Sequence, residues 1–229
     1  VIGTNNILEN CKKFNIKNFL FSSTCSVYAE SNKVLNENSL KKPKSYYGKT
    51  KLIAEKLIKK KLIKTKTKFI ILRYFNVVGA DLKNHIGEIG NKDRLFNNIS
   101  KRILKKNYEI NIYGNDYKTK DGTCIRDYMH VYDLANIHIK CLEKIKRIKK
   151  MKYLNCSYGK EYSVIDIVKS FNKFTKQKIK INFKQKRIGD MEKAISSNKK
   201  LNKFIKWKPR YNNINAMVKS TLLWNKFIL

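Results

Sequence analysis

The run Phe69-Ile70-Ile71-Leu72-Arg73-Tyr74-Phe75 decides the fold. A continuous apolar run of this length is typical of a parallel strand that is buried on both faces. A similar run, Phe19-Leu20-Phe21-Ser22-Ser23, precedes it in the chain, and residues 46–64 between the two runs carry apolar side chains at helical spacing. Strand, long helix and strand form the repeating unit of an open α/β sheet. The sequence therefore predicts an α/β fold with a parallel sheet.

Composition narrows the class of protein. The chain has 229 residues, enough to bury a core, and its hydrophobic share of 42% is that of a globular protein. No apolar run reaches the roughly 18 residues that cross a bilayer, and the first residues lack the features of a secretory signal, so the sequence predicts a cytoplasmic protein without a membrane partner. Five cysteines without C-x-x-C spacing indicate free thiols, and no metal site is expected.

The formal net charge of +35 raises the question of a nucleic-acid partner. The lysines are spread over almost every segment, no arginine-rich tract is present, and the aromatic residues lie mostly inside apolar runs. This distribution favours a solvated basic surface that adheres to polyanions in a salt-sensitive way, with no specific nucleic acid as partner. A basic nucleic-acid-binding module remains an alternative.

The remaining segments predict further helices and strands, and the character of the chain changes after Gly79. Residues 7–14 have helical periodicity, and residues 24–43 and 81–93 are polar loops. Ser163 followed by Asp166 indicates a capped helix start. Helices are expected at 95–105, within 128–146, at 164–174 and at 217–224, and strands at 110–113, 153–156 and 179–183.

The sharpest local feature is the pair Tyr47 and Lys51 at the start of the long helix. The two lie one turn apart and share a face, and an ammonium beside a phenol lowers the pKa of the phenol. Such a phenol is a candidate general base near neutral pH. Thr24 follows the strand that ends in Ser22 and Ser23, at the carboxyl edge where open sheets bind ligands. Taken alone, a Tyr–Lys pair at this spacing is more often an ordinary helix surface.

A strand-end hydroxyl combined with Tyr-x-x-x-Lys resembles the short-chain dehydrogenase superfamily. Two motifs resemble its extended branch, which acts on sugar nucleotides: Phe21-Ser22-Ser23-Thr24-Cys25-Ser26-Val27-Tyr28 and Arg73-Tyr74-Phe75-Asn76-Val77-Val78-Gly79-Ala80. Two more are similar to UDP-glucose 4-epimerases: Tyr113-Gly114-Asn115-Asp116-Tyr117 and Asp121-Gly122-Thr123-Cys124-Ile125-Arg126-Asp127-Tyr128-Met129-His130-Val131. The similarity runs from Gly3 nearly to the end of the chain.

The resemblance implies a fold, a cofactor and a reaction. Residues 1–80 would be the remaining part of a Rossmann-like NAD-binding domain, and residues 81–229 mainly a smaller α/β domain that binds a UDP-sugar, with an interleaved boundary. The reaction would be the interconversion of UDP-glucose and UDP-galactose. Tyr47 would take the proton of the sugar 4-hydroxyl while hydride passes from C4 to the nicotinamide, Lys51 would contact the nicotinamide ribose, and Thr24 would hydrogen-bond the sugar oxygen.

The resemblance also implies binding residues. NAD would contact Tyr47, Lys51, Phe75, Ser22 and Ser23. The UDP-hexose would contact Thr24, Asn76, Leu95, Asn111, Ile112, Tyr113, Arg126, Arg187 and Asp190, with the two arginines on the diphosphate, Asp190 on the ribose hydroxyls, and Leu95 and the 111–113 strand around the uracil. A homodimer would form through helices 6–14 and 49–64.

Several positions depart from the family pattern. Arg94 replaces a smaller polar residue and Asn97 replaces a proline, which predicts a rearranged loop beside the uracil. Ala194 stands near the position whose bulk excludes N-acetylated sugars, so UDP-N-acetylglucosamine is a further expected substrate. Cys25 and Ser26 follow Thr24 where dehydratases have an Asp-Glu pair, which disfavours dehydration.

The chain has no G-x-x-G-x-x-G turn to hold the dinucleotide pyrophosphate. Without that turn we expect weak or absent NAD binding and poor stability of the chain in isolation. An inactive, truncated remnant that only binds or dimerises is therefore a second alternative.

Overall fold

The computed structural model describes residues 1–90, 94–187 and 189–229. The helices are α1 (Ile2–Lys13), α2 (Tyr46–Leu62), α3 (Leu95–Leu104), α4 (Val131–Lys144), α5 (Val164–Thr175), α6 (Lys199–Ile205) and α7 (Ile214–Ile228). The strands are β1 (Asn18–Thr24), β2 (Lys68–Tyr74), β3 (Asn76–Val78), β4 (Glu109–Tyr113), β5 (Ile125–Arg126), β6 (Tyr128–His130), β7 (Met151–Cys156), β8 (Tyr162–Ser163), β9 (Lys180–Lys184) and β10 (Lys193–Ala194). Short 3-10 turns span Cys25–Val27 and Ile145–Arg147.

The main sheet has three parallel strands in the order β1, β2, β7. Alternate side chains of the central strand β2 enter two different cores. Phe69 and Ile71 pack with α1 and α2, whereas Ile70 and Leu72 join the larger core on the other face, and all four are fully buried. The predicted α/β fold with a two-sided parallel strand is confirmed, and its physical basis is this burial on both faces.

The register brings the carboxyl ends of the three strands to one edge. Thr24 pairs with Tyr74, and Tyr74 pairs with Cys156. Helix α2 covers the sheet between β1 and β2, as a parallel connection requires. Every residue that follows these strand ends therefore lies at the same side of the molecule.

The start of α2 is held at that edge by two contacts. The Ser45 side chain caps the helix by accepting a hydrogen bond from the Gly48 amide at 3.0 Å. Gly48 lies so close to the 3-10 turn after β1 that an added Cβ would come within 2.2 Å of the Ser26 carbonyl oxygen. Glycine at this position thus permits the close approach of α2 to the end of β1.

The second half of the chain forms a mixed layer beside the sheet. Helices α3, α5 and α7 pack together, β4 pairs with β9, β3 pairs with β6, and β5 lies between β10 and β8. Strand β7 comes from this half yet completes the first sheet. The division into residues 1–80 and 81–229 stays a prediction, and a cut at residue 80 would separate β7 from the β1–β2 pair that it completes.

The structure adds elements that the sequence did not predict. These are α6, the two- and three-residue strands β3, β5, β8 and β10, and a 3-10 turn inside the predicted loop 24–43. Such short strands show no periodicity of their own, because partners distant in sequence define them. The predicted loop 81–93 ends in residues 91–93, which lie outside the described residues.

The described residues hold no helix long and apolar enough to span a bilayer. Within the same residues no group of three metal-ligating side chains occurs, and the five cysteines are free thiols. Cytoplasmic location remains a prediction.

His130 caps helix α4 only in its neutral form. Its Nδ1 accepts a hydrogen bond from the Tyr132 amide at 3.1 Å, and its Nε2 lies 3.0 Å from the Ser220 hydroxyl oxygen. Burial of the ring lowers the pKa of His130 to about 4, against a smaller opposing effect of Asp133. Between about pH 6.5 and about pH 4 the unfolded chain therefore binds a proton at this ring that the folded protein does not.

We expect the free energy of unfolding of His130→Asn to depend less on pH below neutrality than that of the wild type. The wild-type free energy of unfolding should decrease by on the order of 3 kcal/mol from this ring between about pH 7 and about pH 4. Asparagine keeps an N-cap acceptor and removes the titration. Urea unfolding at several pH values measures the difference, with His85→Asn in an exposed loop as control. Equal acid sensitivity of wild type and His130→Asn would contradict the prediction.

Candidate active site

One cleft, with a volume of about 470 Å³, opens at the carboxyl ends of β1 and β2. Its opposite wall comes from α3, β4, β5 and the segment before β10. The cleft brings together most of the predicted site residues: Ser23, Thr24, Tyr47, Phe75, Asn76, Leu95, Asn111, Ile112, Tyr113, Arg126, Arg187 and Asp190. Of the predicted site residues, only Ser22 and Lys51 do not line it.

The two predicted reacting groups both line the cleft. Tyr47 projects from the first turn of α2 with 56% of its surface exposed, and Thr24 is the last residue of β1 and is buried. The Thr24 hydroxyl oxygen accepts a hydrogen bond from the Ser26 amide at 3.2 Å, and its hydroxyl donates to the Ser26 hydroxyl at 3.2 Å. This capping interaction holds the threonine side chain in place at the strand end.

Lys51 and Ser22 lie behind the reacting groups, at the edge of the cleft. The Lys51 ammonium donates a hydrogen bond to the Ser22 carbonyl oxygen at 2.8 Å and lies 5.8 Å from the centre of the Tyr47 ring. Burial lowers the pKa of Lys51. An ammonium has three donors, so this hydrogen bond leaves two of them for a ligand.

A second phenol, Tyr74, lines the same cleft but differs in its surroundings. It donates a hydrogen bond to the Ser22 hydroxyl at 2.5 Å and contacts His138 Nε2. Burial raises the pKa of Tyr74 to about 12, whereas Tyr47 is half exposed with Lys51 one turn away. Tyr47 is therefore the more accessible of the two phenols to a bound ligand.

Phe75 and Asn76, which follow β2 directly, both line the cleft. Phe75 is buried, and the backbone N–H of Asn76 donates a hydrogen bond to the Asp127 carbonyl oxygen at 3.0 Å. That bond joins β3 to the strands of the second half. The hydroxyl of Ser23 points away from Thr24 and donates a hydrogen bond to Glu55 at 2.5 Å.

The far end of the cleft carries the cationic residues. The Arg126 side chain is 12% exposed, and its Nη2 lies 3.9 Å from Asp190 Oδ1. The Arg187 guanidinium lies 4.0 Å from the centre of the Tyr113 ring. Guanidinium groups in a half-buried cleft suit the oxygens of a diphosphate, since they offer several donors in a rigid plane.

The predicted uracil side is built from α3 and β4. Leu95 is the first residue of α3 and is half buried, and Asn111 and Tyr113 point outwards from β4. Ile112, which was predicted with them, points the other way, and its side chain belongs to the main hydrophobic core. On this strand, Asn111 and Tyr113 are therefore the predicted residues whose side chains face outwards, while Ile112 faces the core.

Arg94 and Asn97, the two residues on the predicted uracil side that differ from the family pattern, form one polar cluster with Glu88. Arg94 Nε lies 2.9 Å from Glu88 Oε1, and the Asn97 amide donates to Glu88 Oε2 at 2.6 Å. The Trp224 indole N–H donates to the Glu88 carbonyl oxygen at 2.8 Å, which anchors the cluster to α7. A charged, hydrogen-bonded cluster thus replaces the smaller polar residue and the proline of the family pattern.

Ala194 is buried beside Arg126 in the β10–β5 pair and is not among the residues that line the cleft. Cys124 and Tyr128 do line it, and the sequence analysis assigned neither of them a role. Burial raises the pKa of the Cys124 thiol, which keeps it protonated. Both residues belong to the motif at residues 121–131, and this motif is the sequence feature that could have identified them.

A nicotinamide cofactor fits the Lys51 edge of the site. The free donors of the ammonium, the exposed Ser22 at the outer edge of β1 and the apolar Phe75 suit a ribose hydroxyl and an aromatic ring. These residues fit the nicotinamide end of the cofactor. The 229 residues contain no G-x-x-G-x-x-G turn for its pyrophosphate.

A cleft at the carboxyl edge of a parallel sheet is where open α/β folds, among them the dinucleotide-binding Rossmann fold, bind their ligands. Residues 1–157 match the NAD dependent epimerase/dehydratase family. The chain is 32% identical over 228 residues to the UDP-glucose 4-epimerase of Halalkalibacterium halodurans, covering 99% of this chain and 68% of that protein.

Two solved structures extend the comparison. One is a UDP-glucose-4-epimerase from Stenotrophomonas maltophila with bound NAD and formylated UDP-arabinopyranose, at a TM-score of 0.93 and 26% identity, covering 99% of this chain and 68% of that one. The other is the Bifidobacterium longum enzyme in complex with NAD+ and UDP, at a TM-score of 0.88 and 30% identity, covering 98% and 68%. The chain belongs to the NAD dependent epimerase/dehydratase family, and the resemblance inferred from its motifs is confirmed.

Proposed function

We propose that the chain catalyses the NAD-dependent interconversion of UDP-glucose and UDP-galactose. The supporting observation is that Tyr47 and Thr24 line one cleft with Arg126, Arg187 and Tyr113. This cleft has acid–base groups at one end and diphosphate-binding groups at the other. The H. halodurans relative is a UDP-glucose 4-epimerase, and the B. longum structure holds NAD+ and UDP, which supports the same ligands here.

The reacting end works through the two hydroxyl groups. In its phenolate form Tyr47 takes the proton of the sugar 4-hydroxyl, becomes a phenol, and later returns the proton, so the reaction consumes no net proton. Lys51 favours the phenolate by its positive charge, and Thr24 holds the sugar oxygen by a hydrogen bond. NAD, when bound, would supply the acceptor for the hydride from C4 and the donor that returns it to the other face, so the sugar undergoes no net oxidation. Lys51, Ser22 and Phe75 would hold its nicotinamide end, whereas the hydroxyl of Ser23, which was predicted with them, is bonded to Glu55.

The other end of the cleft anchors the nucleotide while the sugar reacts. Arg126 and Arg187 bind the diphosphate, Asp190 accepts from the ribose hydroxyls, and Leu95, Asn111 and Tyr113 enclose the uracil. Asn76 and Phe75 border the sugar between the two ends. Because the diphosphate holds the hexose by one bond only, the sugar ring can turn over and present either face to the reacting groups.

We expect Tyr47→Phe to reduce conversion of UDP-galactose by on the order of 10²- to 10⁴-fold, because the general base is lost. Conversion is measured with NAD supplied, and UDP binding is measured in parallel by calorimetry. UDP affinity should be unchanged, since Tyr47 lies at the opposite end of the cleft from the arginines.

The matched control is Tyr46→Phe, which removes a phenol from the neighbouring, exposed position. It should keep wild-type conversion. Wild-type activity in Tyr47→Phe would refute the assignment of the base. A wild-type chain that binds UDP but converts nothing would instead support the inactive remnant.

We expect Arg126→Met to weaken UDP binding by about 10- to 100-fold, because a charge-assisted hydrogen bond to the diphosphate contributes roughly 1.5–3 kcal/mol. Calorimetric titration with UDP measures the dissociation constant. Arg147→Met serves as control, because Arg147 is exposed in a 3-10 turn and does not line the cleft. Equal affinities of the two variants would contradict a diphosphate contact of Arg126.

The proposal includes a homodimer formed by α1 and α2. Both helices carry large apolar side chains on their outer surface, among them Ile2 and Ile7 on α1 and Ile53 on α2, and Phe14 directly after α1 is exposed as well. Exposed apolar residues grouped on two packed helices are typical of an interface. A four-helix bundle between two copies would bury them.

We expect the double variant Ile7→Glu, Ile53→Glu to be monomeric at concentrations where the wild type is dimeric, because the charges cannot be buried in the bundle. Sedimentation equilibrium measures the mass. The control is Ile139→Glu on α4, since Ile139 and Ile7 are equally exposed at 56%. A monomeric wild type, or a dimeric double variant, would rule out this interface.

Two further points remain predictions. UDP-N-acetylglucosamine is an additional expected substrate, although Ala194, the residue behind this expectation, does not line the cleft; a direct assay tests it. Specific nucleic-acid binding is not expected despite the basic composition, and DNA binding with a sequence preference would contradict this.

A further inference from the structure

A fully buried ion pair lies directly beneath the proposed reacting groups. Arg73, near the end of β2, donates from Nε to Glu55 Oε1 at 2.9 Å and from Nη2 to Glu55 Oε2 at 2.6 Å. Their side chains are 2% and 3% exposed. Burial opposes the charge on Arg73, but the hydrogen bonds and charge interactions with Glu55 and Tyr28 together outweigh this and raise its pKa. Two parallel hydrogen bonds thus join Glu55 and Arg73 at a buried position.

The Glu55 carboxylate joins three elements that bear site residues. It lies on α2, four residues after Lys51 and eight after Tyr47, so all three share one face of the helix. Its Oε1 also accepts the hydroxyl of Ser23, the residue before Thr24, at 2.5 Å. One carboxylate thus connects α2 to the carboxyl ends of both β1 and β2.

The arginine extends the same network to the loop after Thr24. Arg73 Nη1 donates to the Tyr28 hydroxyl at 2.9 Å, and that hydroxyl donates to Asn155 Oδ1 on β7 at 2.6 Å. Nη1 also lies 3.3 Å from the Glu37 carbonyl oxygen. The network therefore holds Ser23, before Thr24, and the loop after Thr24 to the same arginine on β2 and carboxylate on α2.

Stability alone does not account for such a network. A buried ion pair loses its hydration, and well-packed apolar residues of similar volume often give a fold that is equally stable or more so. The bidentate pair contributes orientation, because its two hydrogen bonds fix how α2 lies along and across the sheet. Tyr47 is at the exposed first turn of that helix, where its own ring is 56% exposed and provides little packing to fix it.

We propose that Ser23, Glu55 and Arg73 act as a positioning clamp that holds the Tyr47 phenol opposite the Thr24 hydroxyl. This inference rests on the proposed function, since it assigns these residues to the geometry of the same reaction. A displacement of the base by about 1 Å is enough to lower a rate by on the order of 10²-fold. Nucleotide binding depends on residues at the other end of the cleft, so the clamp acts on kcat and leaves KM unaffected.

The test uses two variants with different risks to folding. Glu55→Met combined with Arg73→Met removes both charges together, which avoids an unpaired buried charge. Arg73→Lys keeps the positive charge but loses the planar guanidinium group that makes two parallel hydrogen bonds to Glu55. The matched control is Glu9→Gln combined with Lys61→Met, which removes an ion pair that also anchors α2 but lies at its exposed far end. Thermal unfolding establishes that each variant is folded.

Two readouts are taken on the full chain with NAD supplied. Kinetics of UDP-galactose conversion should show kcat lowered by roughly 10- to 100-fold in the double methionine variant and by less in Arg73→Lys, with KM within about twofold of wild type. NMR of the ¹³C-tyrosine-labelled chain should show the Tyr47 signal, identified by its loss in Tyr47→Phe, shifted in both variants and unshifted in the control.

The NMR readout decides the clamp independently of activity. An unshifted Tyr47 signal in the folded double methionine variant overturns the proposal, as does a raised KM with unchanged kcat. If the wild-type chain converts no substrate, the proposed function fails, and the position of the Tyr47 signal still decides whether the clamp holds that ring.

Discussion

The parallel pairing of β1 with β2 is the constraint on which the rest of the structure depends. It aligns Ser23 with Arg73 and Thr24 with Tyr74, and it requires a crossover helix between the strands. That helix is α2, and its first turn carries Tyr47. The hydroxyl at the end of β1, the phenol at the start of α2 and the residues after β2 therefore meet at one edge. The cleft exists because a parallel sheet ends all of its strands on the same side.

Acidic residues have a structural role in this chain that their number would not suggest. Only 17 Asp and Glu residues stand against 52 Lys and Arg, yet Glu37, Glu55, Asp127 and Asp133 are all buried. Each accepts hydrogen bonds from distant segments: Asp127 from the amides of Tyr158 and Gly159, for instance, and Asp133 from those of Arg210 and Tyr211. Burial raises the pKa of Asp127 to about 7 in spite of those amide donors. The scarce carboxylates hold the fold together, while most of the lysines remain in solvent.

Local sequence patterns predicted most of the secondary structure. The Ser163–Asp166 pair predicted a helix start, and the structure has a complete capping box there. The apolar spacing of residues 46–64 predicted α2 within two residues of each end. The Tyr47–Lys51 pair and Thr24 were recognisable because a helix face and a strand end are both local. The cluster of Glu88 with Arg94 and Asn97 was not recognisable in this way. Its anchor, Trp224, lies far away in the sequence, and no periodicity links the two.

The sequence by itself determined the α/β class, the family and the identity of the candidate acid–base residues. These follow from side-chain periodicity and from motifs in which neighbouring residues act together. Only the tertiary structure decided that Glu55 and Arg73 are partners, that Ser23 turns from the cleft towards Glu55, and that the side chain of Ile112 enters the core while Tyr113 meets Arg187. The physical reason is that a buried charge acquires its partner when separate elements pack together, and the distance along the chain places no constraint on that choice.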